Sequence, residues 1–259
     1  MKVIAIACEK GGVAKTTTAV NLAQSLTKLK HKTLLIDADK QHNSTFNYGA
    51  QYEGVATLYD VILDPNPCSI EEAIQHTPNG DIVAGDPQLA EAGDAFRGVE
   101  GAYYKLREAL ADLKGYDYVI FDTNMVRDSL LYTVLAASDY VIIPTVVHSF
   151  AYQGVTQVCE SIAVVRQNLN PKLRLSGIVV CNYPLKSKVS VSHQIKLEAL
   201  HKYAAQADVP IFDTIIHNSQ FCANAQDEQI ALSRYRPSSS AAKDYMKFAR
   251  EVIAQTKGE

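Results

Sequence analysis

The stretch Cys8-Glu9-Lys10-Gly11-Gly12-Val13-Ala14-Lys15-Thr16-Thr17-Thr18 gathers glycines, lysines and hydroxyls into one short segment. An apolar run, Val3-Ile4-Ala5-Ile6-Ala7, comes before it, and Ala19 to Leu26 follow with helical spacing. Strand, glycine-bearing loop, Lys-Thr and helix form the layout of a phosphate-binding loop. In such a loop backbone N–H groups and a helix N-terminus face the phosphates, a lysine adds a point charge and a hydroxyl meets Mg²⁺. Lys15 suits the charge, since a plain surface lysine opening a helix would oppose the helix dipole. Thr16 suits the metal-facing hydroxyl and Thr17 a phosphate contact. Lys10 stands ahead of the glycines, too early to lie along the same nucleotide as Lys15. The strict pattern G-x-x-x-x-G-K-[ST] fails, because Glu9 and Ala14 occupy its glycine positions. The alanine Cβ disfavours φ > 0, so a helix-compatible conformation is expected at Ala14.

Carboxylates recur at the ends of apolar runs. Thr33-Leu34-Leu35-Ile36 ends in Asp37-Ala38-Asp39-Lys40-Gln41, and Tyr118-Val119-Ile120-Phe121 ends in Asp122. Acids at the carboxyl ends of parallel strands sit where such sheets bind ligands. An aspartate so placed can reach Mg²⁺ through water. The plainer role for Asp37 and Asp39 is capping the next turn.

The loop does fit Lys-Gly-Gly-x-x-Lys-Thr-Thr, the deviant Walker A motif. On these residues the chain resembles the ParA/MinD family of partitioning ATPases, closest to the ParA (Soj-like) branch. It matches at Lys10, Gly11, Gly12, Val13, Lys15 and on through Ala23, with Ala14 in place of glycine. The resemblance implies ATP and Mg²⁺ as cofactors. It puts Gly11, Gly12, Val13, Ala14, Lys15, Thr16 and Thr17 around the phosphates, with Thr16, Asp37 and Asp122 serving the metal. Asp39 would orient the attacking water. Lys10 would reach across an ATP-dependent sandwich homodimer to the partner's phosphates, meeting charge that grows in the transition state. Asn182 and residues 216–219 fall where the adenine is usually held, although an asparagine after a strand is commonly a turn residue. The chain departs from the family at several points. Lys40 replaces a proline, and the family arginine near His217-Asn218 is absent. Thr123-Asn124-Met125-Val126 lacks the usual Pro-Pro, so a less rigid loop is expected after Asp122.

The elements that would position these groups follow from periodicity. Strands are predicted at residues 3–7, 33–36, 81–85, 118–121, 140–144, 175–180 and 214–216. Helices are predicted over 15–30, 69–77, 101–114, 128–137, 150–168, 190–207 and 239–256. Short apolar strands alternating with helices indicate a parallel sheet covered on both faces. The expectation is an α/β P-loop NTPase, with a mostly parallel twisted sheet and one domain over residues 1–259. Pro65-Asn66-Pro67-Cys68 reads as a loop, and Arg236 to Ser240 as a loop ending at a helix N-cap.

Composition narrows the class. Hydrophobic residues make up 47% of the 259, which suits a globular chain. No apolar run reaches the roughly 18 residues of a membrane span, and there is no signal-peptide pattern. A cytoplasmic, nucleoid-associated protein is expected. The five cysteines are scattered and the seven histidines form no ligand spacing. The net charge of −3 opposes global attraction to DNA, but a local basic face is compatible with it. Arg234, Arg236, Lys243, Lys247 and Arg250 are candidates for non-specific DNA contacts, as are Lys186, Lys188, Lys196 and Lys202. An ordinary solvated helix face explains them equally well.

The leading expectation is an ATPase that segregates plasmid or chromosomal DNA, released by a ParB-like partner that stimulates slow hydrolysis. A variant positions a protein cargo on the nucleoid and shares every motif. A MinD-like membrane ATPase would need a terminal amphipathic helix with exposed apolar residues, and Ile253 to Glu259 is too polar for that. An iron–sulfur relative would need cysteine ligands at an interface, and Cys159 alone does not supply them.

Overall fold

The computed structural model describes residues 1–97, 99–148 and 151–257. In chain order the first elements are β1 (Lys2–Ile6), α1 (Lys15–Lys28), β2 (Thr33–Ala38), α2 (Asn43–Tyr48), α3 (Leu58–Ile62), β3 (Ile74–Thr77), β4 (Gly80–Val83) and α4 (Ala92–Ala95). Then come α5 (Lys105–Ala111), β5 (Tyr118–Thr123), α6 (Ser129–Ala137), β6 (Tyr140–Val146), α7 (Ala151–Asn168) and β7 (Arg174–Tyr183). The last are α8 (Val191–Gln206), β8 (Ile211–His217), α9 (Gln220–Asp227), α10 (Leu232–Tyr235) and α11 (Ser240–Thr256).

The strands form one sheet in the order β3-β4-β2-β5-β1-β6-β7-β8. All pairings are parallel except β3 with β4. The central strands are apolar on both faces because both faces are covered. Val3 and Ala5 of β1 enter one core, and Ile4 and Ile6 enter the other. This is the two-residue alternation of a strand sandwiched between helix layers. α1 and α11 cover one face, and α3, α5, α6, α7 and α8 cover the other. Val119, Ile120 and Phe121 of β5 are fully buried, each worth about 1.5–3 kcal/mol of transfer free energy.

α11 lays Ala241, Tyr245, Phe248 and Val252 inward, the stripe expected from its spacing. It packs on α1, where Thr18 Oγ1 lies 3.5 Å from the Tyr245 hydroxyl. Ser239 caps α11 by accepting from the Ala242 N–H.

Two expectations are corrected. The helix predicted over 69–77 is instead a turn leading into β3, whose Ile74-Gln75-His76-Thr77 pairs antiparallel with β4. An edge strand this short and polar carries little periodicity. The helix predicted over 101–114 contracts to a short 3₁₀ turn at Ala102–Tyr104 followed by α5. Residue 150, the expected start of another helix, lies outside the described residues.

Candidate functional site

β1 stands between β5 and β6, where chain connections leave in opposite directions and the strand ends open a crevice. The loop from Cys8 to Ala14 emerges there and runs into α1. α1 has no acidic residue in its first turn and no side-chain cap among the described residues. Its leading N–H groups are therefore available to an anion. Lys15 is buried, 9% exposed, and its Nζ donates to the Lys10 carbonyl at 3.1 Å. The amine is thus held against the inside of its own loop. Gly11 and Gly12 are exposed on the rim, Val13 is buried, and Thr16 and Thr17 are half-buried. Lys10 is half-buried at the base of the loop.

Ala14 contradicts the expectation of a helix-compatible backbone. It sits at φ 68°, ψ 34°, in the left-handed region. It is the N-cap of α1, outside the helix proper, so proximity to the helix did not set its dihedrals. An L-residue there costs about 1–2 kcal/mol.

Asp37 and Asp122 are register partners on adjacent strands β2 and β5. Both are fully buried. Consecutive residues of α2 serve them. Ser44 Oγ donates to Asp122 Oδ2 at 2.7 Å. The Thr45 N–H and Oγ1 both donate to Asp37 Oδ2 at 2.8 Å. Asp37 Oδ1 accepts from the Asp39 N–H at 3.2 Å. Gly85 closes this corner, its N–H donating to Thr45 Oγ1 at 2.9 Å. A Cβ on Gly85 would stand 2.9 Å from the Asp39 carbonyl oxygen and 3.0 Å from Asp37 Cγ, so only glycine fits.

Burial pushes the Asp122 carboxyl up to about 8, reinforced by the neighbouring charge of Asp37 and opposed by the Ser44 and Thr16 hydroxyls. Burial likewise raises Asp37 to about 6, opposed by the bonds from Thr45. Asp122 Oδ1 is buried with no hydrogen-bond partner among the described residues. An orphaned carboxylate oxygen beside a threonine hydroxyl, at the mouth of a helix N-terminus, is a hard oxygen donor set. Such a set suits Mg²⁺, which takes one or two carboxylates and completes its shell with phosphates and water. Asp37 has its oxygens committed to Thr45 and Asp39, and so it orders the corner.

Asp39 is half-exposed, and its Oδ1 accepts from the Gln41 N–H at 3.0 Å. Lys40 points to solvent. The loop after Asp122 lacks prolines but is tied by side chains. Asn124 Nδ2 donates to Asp128 Oδ2 at 2.9 Å, and the Val126 N–H donates to Asn124 Oδ1 at 3.0 Å.

A family model described as an AAA domain matches residues 1–175. The chromosome partitioning protein ParA of Myxococcus xanthus is 30% identical over 256 residues, covering 97% of this chain and 88% of its own. The chromosome-partitioning ATPase Soj of Thermus thermophilus is 34% identical over 254 residues, covering 97% of this chain and 95% of its own. The chain belongs to the ParA/Soj family of partitioning ATPases. Its fold is that of the P-loop NTPases. A crystal structure of cobyrinic acid a,c-diamide synthase from Mycobacterium smegmatis, with a bound ATP analogue and magnesium, superposes with a TM-score of 0.84 at 28% identity. That alignment covers 100% of this chain and 96% of the other. Such a likeness to an enzyme of another name shows that the fold is shared more widely than the task.

Beyond the phosphate loop, this ParA/Soj chain departs from expectation at Asn182. Asn182 does not follow β7 but lies within it, exposed, at φ 53°. His217 closes β8 and is tied to α11, its Nδ1 2.9 Å from Asp244 Oδ2. Lys243, Lys247 and Arg250 are exposed along the outer face of α11. Arg236 lies over the Phe221 ring at 5.3 Å. Arg234 Nη1 reaches the Pro78 carbonyl at 3.1 Å, which gives it a structural bond as well as an exposed charge. Ser44, Thr45 and Arg127 were not singled out from sequence. The only signal for the first two was a hydroxyl pair closely following Asp37 and Asp39.

Proposed function

We propose that this chain is an ATP-hydrolysing partitioning protein, acting as one ATPase domain that segregates plasmid or chromosomal DNA. The observation that carries the reading is Asp122 Oδ1, buried beside Thr16 and the N-terminus of α1 and without a hydrogen-bond partner among the described residues. Backbone N–H groups of Gly11, Gly12, Val13 and Ala14 cradle the phosphates of ATP. Lys15 pairs with the β- and γ-phosphates and Thr17 with the α-phosphate. Thr16 and Asp122 hold Mg²⁺, and Asp37 supports that shell through the corner it orders. Bound Mg²⁺ supplies charge neutralisation on the phosphate oxygens. Asp39 orients a water for in-line attack on the γ-phosphorus, and the bond to the β–γ bridging oxygen breaks. Lys10 reaches the phosphates of a second copy, so turnover requires an ATP-dependent dimer and is slow until a ParB-like partner stimulates it.

The dimer binds DNA non-specifically, with Lys243, Lys247 and Arg250 on the outer face of α11 as its basic surface, joined by Arg236 and Arg234. The same basic surface argues against a membrane role. α11 turns its large apolar residues inward, leaving charge where a lipid-binding helix needs hydrophobic area. No helix among the described residues is long and apolar enough to cross a membrane.

Retention of the protein on a non-specific duplex tests this reading, measured with ATP, with ADP and without nucleotide across a salt series. Binding that needs ATP and falls steeply with salt is expected. Equal binding in all three states contradicts it.

A further inference from the structure

Glu9 lies just before Lys10, and its side chain is only 7% exposed. A buried carboxylate needs partners, and Glu9 has two. Ser161 Oγ donates to its Oε1 at 2.6 Å. Arg127 Nε donates to its Oε2 at 2.9 Å.

Arg127 belongs to the loop between Asp122 and α6. Its Nη2 also donates to the Gln157 carbonyl at 2.8 Å and to Glu160 Oε2 at 3.0 Å, both on α7. One guanidinium therefore joins the phosphate loop, the loop after Asp122 and the middle of α7. α7 itself presses on the phosphate loop. A Cβ on Gly154 would stand 3.1 Å from Cys8 Sγ and 3.3 Å from Lys10 Cβ, so any larger residue there would push the loop and the helix apart by a few tenths of an ångström. The loop carrying Arg127 is braced too, since Asp128 accepts from the Leu131 N–H at 2.9 Å and caps α6.

We propose that Glu9 and Arg127 are a positioning pair for Lys10. They hold the phosphate loop and the loop after Asp122 at one offset from α7, so that displacement of either loop moves the other. The inference rests on the reading of Lys10 as a charge acting in ATP hydrolysis. Neither residue has a place among the groups that meet phosphate. Their effect passes through the Lys10 backbone and the close approach of Gly154. Removing Arg127 strands the buried Glu9 carboxylate, and the loop shifts to hydrate it, whereas removing the Glu9 charge leaves Arg127 on α7 and releases the phosphate loop from it.

The test compares the full chain with Glu9→Gln, which keeps the shape, Arg127→Ala, Arg127→Lys and the Glu9→Gln/Arg127→Ala double variant. Amide hydrogen exchange is followed without nucleotide over residues 8–13, 124–128 and 154–161. Both single losses are expected to speed exchange severalfold in residues 8–13 as well as in the loop after Asp122. Faster exchange confined to residues 124–128 in Arg127→Ala overturns the coupling. Turnover is then read at saturating ATP beside ATP affinity. Each single variant is expected to lower kcat about tenfold or more, since small misplacements of a reacting charge cost this much. ATP affinity should stay within about twofold, and the double variant should be no slower than the worse single. Losses that multiply, or a fall in affinity matching the fall in kcat, overturn the pairing. Arg127→Lys keeps a cation but loses the two-armed bridge, and should fall between wild type and Arg127→Ala. If Arg127→Ala does not fold, Glu9→Gln and Arg127→Lys carry both measurements. An unmodified chain that does not turn over ATP would refute the hydrolytic reading, leaving the exchange pattern to decide the coupling.

Discussion

Ser44 donates to Asp122 across 2.7 Å, joining the first turn of α2 to the end of β5 at a buried acid. Its neighbour Thr45 does the same for Asp37 on β2. Two adjacent strand ends thus hold two carboxylates side by side, with hydroxyls in place of a cation. Burial favours the protonated form of both, helped at Asp122 by the charge of Asp37 and at Asp37 by that of Asp39.

Stability without nucleotide is accordingly expected to decline as pH rises. In the unfolded chain both acids ionise near the ordinary value of about 4. In the fold Asp37 stands at about 6 and Asp122 at about 8. Between these limits the folded state holds more protons than the unfolded one. Unfolding free energy then falls with pH, by at most about 1.4 kcal/mol per pH unit for each proton. Asp122→Asn should flatten the slope and raise Tm near pH 8. Melting curves at several pH values check this, and an unaltered slope contradicts it.

Ala14→Gly should raise Tm by about 2–4 °C. Relief of left-handed strain, about 1–2 kcal/mol, outweighs the added freedom of an unfolded glycine, about 0.5–1 kcal/mol. Calorimetry of the two chains decides the sign.

Lys15→Ala should weaken ATP binding by about tenfold to a hundredfold, the worth of a charge-assisted hydrogen bond of about 1.5–3 kcal/mol. The fold should persist, because among the described residues the side chain bonds only the Lys10 carbonyl, at 3.1 Å. Titration calorimetry on the variant measures the loss. Wild-type affinity in a folded variant would remove the phosphate assignment.

Asp39→Ala should keep ATP affinity and lose about a hundredfold or more in turnover, as for loss of a group that handles the attacking water. Its dimer with ATP should outlive that of the wild type. Single-turnover kinetics and light scattering give the two readouts, and unchanged turnover argues against the role.

Reversing charge at Lys243, Lys247 and Arg250 should weaken DNA binding alike for all sequences. The salt slope should shrink by about 0.9 for each DNA phosphate that is no longer neutralised. ATP affinity should not change, because the three side chains lie on the outer face of α11. Fluorescence anisotropy over a salt series measures the slope. A slope equal to wild type would move the basic face elsewhere, with Lys186 and Lys188 as the next choice.

The phosphate loop, β1, β2 and β5 were legible in sequence because apolar strands end there in residues with no place in a core. Lys15, Asp37 and Asp122 sit where that pattern put them. Ser44 and Thr45 were not legible, because they reach the acids through a turn whose path depends on Gly85 and on the β2–β5 register. The residue type of Ala14 points away from the backbone it adopts. The surrounding loop, not the Cβ, sets its φ of 68°. The loop after Asp122 was judged by its missing prolines, yet Asn124, Asp128 and Arg127 brace it by hydrogen bonds that pattern alone does not reveal.

The packing of α11 on α1 also bears on synthesis. Thr18 and Tyr245 meet although 227 positions separate them. At about 5–20 residues per second, a ribosome needs roughly 10–45 s to cover that gap. Through that interval the side of α1 that bears Thr18 stands without the helix that packs on it. The loop that leads into α1 is therefore made well before the helix that packs on α1.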